Sequence, residues 1–261
     1  MQPRLAIAVG FALAIVLLVV IAAVAGLWPF TRGPVYRAAG PPTDPSMRFA
    51  YYQSGARAGD ADAELQLAIL YAKGEGVTQD YAIAASWFRA AAKQGVARAQ
   101  YDLGVLYERG RGVPVDLTEA AKWYQEAAQG KYPLAEYNLA VCYTKGQGIR
   151  KDLPEAALWY RRAAGHGVIQ AMINLGMMYE RGEGIAASPV DAYAWYLAAG
   201  RRGSEPAMRR ADDLFASLPQ LDQIRAQALA SDIAGSIHDS EPDRGETAAP
   251  NTDARSGEVK D

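Results

Sequence analysis

Few residues in this chain are able to carry out chemistry, and their positions decide what they can do. There is one cysteine, Cys142, and there are two histidines, His166 and His238. A lone thiol excludes an internal disulfide framework and a cysteine-built zinc site. Two histidines leave little material for a histidine-ligated metal centre or a catalytic triad. Cys142 falls where Leu70, Leu106 and Met178 stand at steps of 36 residues. A thiol that exchanges with Leu and Met is expected in a core, where it is inert. His166, in Ala164-Gly165-His166-Gly167, is expected at a helix C-terminus, where the dipole favours a group able to take positive charge. No nucleophile partners it in the sequence, and His238 lies in a polar tail.

Three further sets recur with the same step. Asp80, Asp116 and Asp152 could be imagined as a carboxylate array, but each stands just before an apolar-periodic stretch, as does Ser188 in the fourth unit. That is the place of an N-cap, and Glu119 and Glu155, three residues on, complete acidic capping boxes. Gly74-Glu75-Gly76 lacks the third glycine and the preceding strand of a dinucleotide fingerprint, so it reads as a turn. Lys73, Arg109, Lys145 and Arg181 form a basic ladder before each glycine pair. The helix dipole accounts for such cations in a last turn; alternatively they line a groove wall and meet carboxylates of a bound segment.

The elements that position these residues repeat every 36 residues without insertion. Tyr71, Tyr107, Tyr143 and Tyr179 keep the step, as do Trp87, Trp123, Trp159 and Trp195, and Leu67, Leu103, Leu139 and Leu175. Each unit reads as two antiparallel helices. The first, Asp62 to Lys73 in the first unit, buries Ala63, Leu67, Ala68 and Tyr71 and ends at Gly74 in a left-handed cap. The second buries Ala84, Trp87 and Ala91. One such pair cannot cover its own apolar faces, so the units must stack. The repeats are placed at 63–98, 99–134, 135–170 and 171–206, after a capping helix in 47–62. Capping helices in 207–235 follow, with Leu221, Ile224, Leu229 and Ile233 facing the stack.

The unit Ala-x3-Leu-Gly/Ala-x2-Tyr-x2-Gly-x-Gly-Val/Ile, then Asp-x3-Ala-x2-Trp-Tyr/Phe-x2-Ala-Ala, resembles the Sel-one-like repeat, a cousin of the tetratricopeptide repeat. The resemblance runs from Met47 to Ile233. It implies an all-α fold, an α/α superhelical solenoid with a concave groove. It also implies an adaptor that binds a partner protein or peptide, often at membranes or in the bacterial envelope. One branch of the family is linked to penicillin binding and β-lactam hydrolysis, but it carries cysteine pairs that are missing here. If the first helices line the groove, Leu65, Tyr101, Tyr137 and Ile173 lie along it beside a polar row of Gln66, Asp102, Asn138 and Asn174. Tyrosines there suit a peptide interface, or they simply pack between repeats. The candidate groove set is Tyr101, Asp102, Tyr137, Asn138 and Asn174 with Arg109, Lys145 and Arg181.

The ends differ from the repeats. No charged residue occurs from Leu5 to Thr31, long enough for a membrane-spanning helix at 5–28 and longer than a signal-peptide core. Arg4 precedes the run and Arg32 and Arg37 follow it, so the charge bias is weak. A short tail, 1–4, before a long soluble part resembles a bacterial signal-anchor that exports the repeats to the periplasm. A Pro/Gly-rich stalk occupies 29–46, and 236–261, with seven acidic and three basic residues and no aromatic, is expected to be disordered. With 27 Lys+Arg against 29 Asp+Glu, no basic field holds nucleic acid. The sequence implies a non-catalytic chain with no cofactor, no metal and no small-molecule ligand. The competing reading is an envelope enzyme or cell-wall-binding protein acting on peptidoglycan or β-lactams.

Overall fold

The structure is a computed structural model and describes residues 40–237. The expected spanning segment 5–28, most of the stalk and most of the tail, with His238, lie outside the described residues. Among the described residues, no helix is long and apolar enough to cross a membrane.

Eleven helices fill the described region: α1 (Pro45–Arg57), α2 (Ala61–Lys73), α3 (Tyr81–Lys93), α4 (Ala97–Arg109), α5 (Leu117–Gln129), α6 (Pro133–Lys145), α7 (Leu153–Gly165), α8 (Ile169–Arg181), α9 (Pro189–Arg201), α10 (Glu205–Ser217) and α11 (Gln220–Ser236). Each consecutive pair of helices from α1 to α10 is packed together, whereas α11 folds back past α10 onto α9. That neighbour-only pattern is the signature of a solenoid, in which every interface is local.

Capping sets the helix starts. The Asp80 carboxylate accepts from the Ala82 and Ile83 amides at 2.8 and 2.9 Å, and Asp116 accepts from Thr118 and Glu119 at 3.0 Å. Asp152 and Ser188 accept from Glu155 and Asp191. The reciprocal half of the expected capping box does not form. The Asp116 and Asp152 amides instead donate to Tyr107 and Tyr143 carbonyls at 3.0 Å, tying each loop to the preceding helix. Glu119 and Glu155 are thereby released, and Glu155 accepts from the Trp159 indole at 2.9 Å.

The deepest aromatic of each second helix is the residue after the tryptophan. Phe88 and Tyr124 are 1% exposed and Tyr160 and Tyr196 3%, whereas Trp87 and Trp123 are only half-buried. Small residues on the facing first helix admit these rings. A Cβ at Gly104 would stand 2.8 Å from the Tyr124 ring, and one at Gly176 would stand 2.9 Å from Tyr196.

The second glycine of each pair has a role beyond turning the chain. Gly112 has φ +70°, and a Cβ there would run into the backbone of Tyr81, the first residue of the second helix one repeat earlier. Gly148 meets Leu117 in the same way, and Gly184 meets Leu153. The loop of each repeat is thus seated on the backbone of the one before it.

The caps differ in detail from the sequence reading. Helix α1 starts at Pro45 behind an Asp44 cap, so residues 45 and 46 of the expected stalk are helical. On α11, Leu221 and Ile224 are each 60% exposed and do not face the stack. Ala226, Ala230 and Ile233 form the buried stripe instead, at the four- and three-residue spacing of one helical face. Alanines there let α11 approach α9 closely.

Candidate functional site

Each first helix presents the same register positions, yet the structure treats them unequally. Leu65 is 7% and Tyr101 5% exposed, while Tyr137 and Ile173 are half-buried. Tyr101 is fixed between the rings of Tyr124 and Tyr132, with centroids 5.9 and 5.1 Å away. Asp102 is 4% exposed, its carboxylate 3.5 Å from the Arg98 guanidinium one turn earlier. These two candidate groove residues are core components, because a seam between aromatic rings and an intrahelical ion pair take up the surface they would offer a ligand. Arg109 is exposed and is not among the residues that border the cleft described next.

The other five candidates converge. A cleft of about 360 Å³ opens between the third and fourth repeats, and Tyr137, Asn138, Lys145, Asn174 and Arg181 all border it. Its apolar wall is Val141, Leu153, Met177 and Met178, and Glu108 reaches it from the second repeat. Asn174 on α8, Tyr137 on α6 and Tyr160 on α7 all line the cleft, bringing three helices together there, and the two tyrosine ring centroids are 5.9 Å apart. Burial pushes the Tyr137 hydroxyl up and that of Tyr160 up to about 12, so both are neutral at any physiological pH. Thr144 donates to the Ala140 carbonyl at 2.8 Å and stands 3.4 Å from the Tyr160 oxygen. A volume near the lower end of the range for ligand pockets suits one or two side chains of a partner.

Charge around the cleft is mixed. The Tyr124 hydroxyl donates to Glu108 at 2.6 Å, and Arg181 lies 3.7 Å from Glu183 in its own loop. Lys73 has the same arrangement with Glu75, at 3.7 Å. In the third repeat Gln147 stands where the acid would be. Lys145 makes no ion pair among the described residues.

The remaining chemically capable groups are placed as follows. Cys142 is 7% exposed, and burial pushes its thiol up to about 12. His166 caps α7, and its Nε2 lies 3.8 Å from Glu136 Oε2, a carboxylate only 2% exposed. Sequence reasoning missed this pair. The signal was present, since Glu64 and Gln94 occupy the same two positions one unit pair earlier and hydrogen-bond at 2.8 Å. Glu108, Thr144 and Met177 were missed as well; they sit at positions that vary between units, on the turn beside the named rows. Among the described residues no group of three or more His, Cys, Asp or Glu could hold a metal ion.

Comparisons with known proteins agree with this architecture. The Sel1 repeat family model matches residues 61–96, 97–132, 133–168 and 169–204. A Sel1 repeat protein from Oxalobacter formigenes is 32% identical, with a TM-score of 0.63 over 73% of this chain and 77% of that one. Weaker likenesses include c5321, a protective antigen of uropathogenic Escherichia coli displaying an SLR fold. It is 23% identical, with a TM-score of 0.45 over 74% of this chain and 57% of that one. Another is the immunity protein Pa5087 from Pseudomonas aeruginosa, 20% identical with a TM-score of 0.43, over 78% of this chain and 83% of that one. Among curated proteins no significant match is found. Four uninterrupted repeats, two-helix units stacked as a solenoid and a related solved structure lead to one assignment: the chain belongs to the Sel1 repeat family.

Proposed function

We propose that this protein is a membrane-anchored, non-catalytic adaptor that holds a segment of a partner protein in the cleft between its third and fourth repeats. The observation carrying the reading is the convergence of Tyr137, Asn138, Asn174, Lys145 and Arg181, from two first helices, on one open cleft. Tyr and Arg are enriched where interfaces concentrate their energy, and a preformed groove spares the ordering cost of binding. The uncharged run from Leu5 to Thr31 supplies the anchor, and the signal-anchor reading puts the repeats in the bacterial envelope. No covalent step is included: the Cys142 thiol is buried and protonated.

Photo-crosslinking in native membranes tests this, with a reactive side chain at Tyr137 and a control at exposed Gln125. A discrete protein adduct at Tyr137 alone is the expected result. Equal adducts at both sites, or none at either, would refute the cleft as the docking site.

A further inference from the structure

With a partner segment docked in the cleft as proposed above, the cleft has features that narrow that partner's chemistry. Three of its four bordering charges are already engaged. Arg181 pairs with Glu183 at 3.7 Å, and Glu108 accepts the Tyr124 hydroxyl at 2.6 Å. Lys145 is the exception: exposed, at the cleft, with Gln147 in place of the acid that Lys73 and Arg181 each have two residues on. Beside it lies the apolar wall of Val141, Leu153, Met177 and Met178, whose methionines can adapt to varied side chains. We infer that the cleft takes an extended peptide segment in which one large apolar side chain enters against this wall and a single Asp or Glu, one or two residues away, pairs with Lys145. A run of acids does not fit. Glu108 and Glu183 already balance Lys145 and Arg181 in formal charge, so a second carboxylate would meet repulsion with no open cation left to offset it.

The test is selection from a random nine-residue peptide library against the immobilised full-length protein, in parallel with Lys145→Gln, Lys145→Glu and Met177→Asp. The wild type should enrich sequences with one acid within two residues of Leu, Met or Phe. Lys145→Gln should lose the acid but keep the apolar residue, and Lys145→Glu should replace the acid by Lys or Arg. An exposed ion pair of this kind is worth roughly a two- to fivefold preference between Glu and Gln versions of a selected peptide. Because the charge reversal yields a new preference, it cannot be mistaken for misfolding. Apolar enrichment without an acid, or an acid preference that survives Lys145→Glu, overturns this inference while leaving the docking reading intact. Enrichment that Met177→Asp does not change, or no enrichment at all, overturns both.

Discussion

Replacing Glu136 by Gln should remove a pH dependence of stability that the wild type shows between pH 5 and pH 8. Glu136 is 2% exposed on α6, and burial raises its carboxyl from 4.5 to about 7, against the opposing pull of Arg162 and Lys131. His166 on the end of α7 faces it at 3.8 Å. The folded value lies above the unfolded one, so the favourable contribution is complete below pH 4.5 and is lost as pH rises through 7. Each pH unit in that window is worth about 1.4 kcal/mol, giving a loss of about 2–3 kcal/mol between pH 5 and pH 8 for an isolated group. The opposing pull of Arg162 and Lys131 is already contained in the raised value, and about 1–3 kcal/mol is expected. The amide is no foreign group at this position. Gln100 occupies it in the second repeat and donates to the Ala92 carbonyl at 3.2 Å, and Ala128 offers the equivalent carbonyl to a Gln at 136. Urea unfolding of both proteins at pH 5 and pH 8 measures the difference. Glu136→Gln should be the more stable variant at pH 8 and lose that advantage at pH 5. Equal pH dependence in the two proteins would refute the assignment, and a dependence abolished by His166→Gln alone would transfer it to the histidine.

Other consequences follow from packing. Gly112→Ala should destabilise by about 2 kcal/mol or more in thermal or urea unfolding, since a left-handed backbone and a collision with Tyr81 combine there. Gly95→Ala, with a similarly positive φ but nothing within 4 Å, should cost less. Tyr101→Ala should cost about 3–5 kcal/mol and Tyr137→Ala clearly less, because only the former fills a closed seam; equal costs in the same assay would contradict the division between core and cleft. Cys142 should resist thiol reagents at pH 8 in the native state and react on denaturation, a contrast read by absorbance of the released chromophore.

The repeat length, the caps, the turn glycines and the two-helix unit are legible in the sequence because each is a local demand on backbone geometry. Asp80 must cap and Gly74 must turn left whatever lies around them, so residue type and a step of 36 are enough to read them. The core status of Cys142 is legible for a similar reason, since Leu and Met report the same environment at equivalent positions. Chemical identity alone, however, does not separate Tyr101 from Tyr137, or Asp102 from Asn138. Each pair shares a register, and what differs is the neighbour: Tyr132 and Arg98 close over one member, while the other borders a gap between successive repeats. The second glycine of each pair reads in sequence as a turn residue, but the requirement for it comes from a backbone one repeat away. Apolarity alone points Leu221 and Ile224 inward, but the packing of α11 on α9 selects the alanine face instead. Burial depends on which surface a neighbouring helix covers, and that is fixed only when the repeats stack.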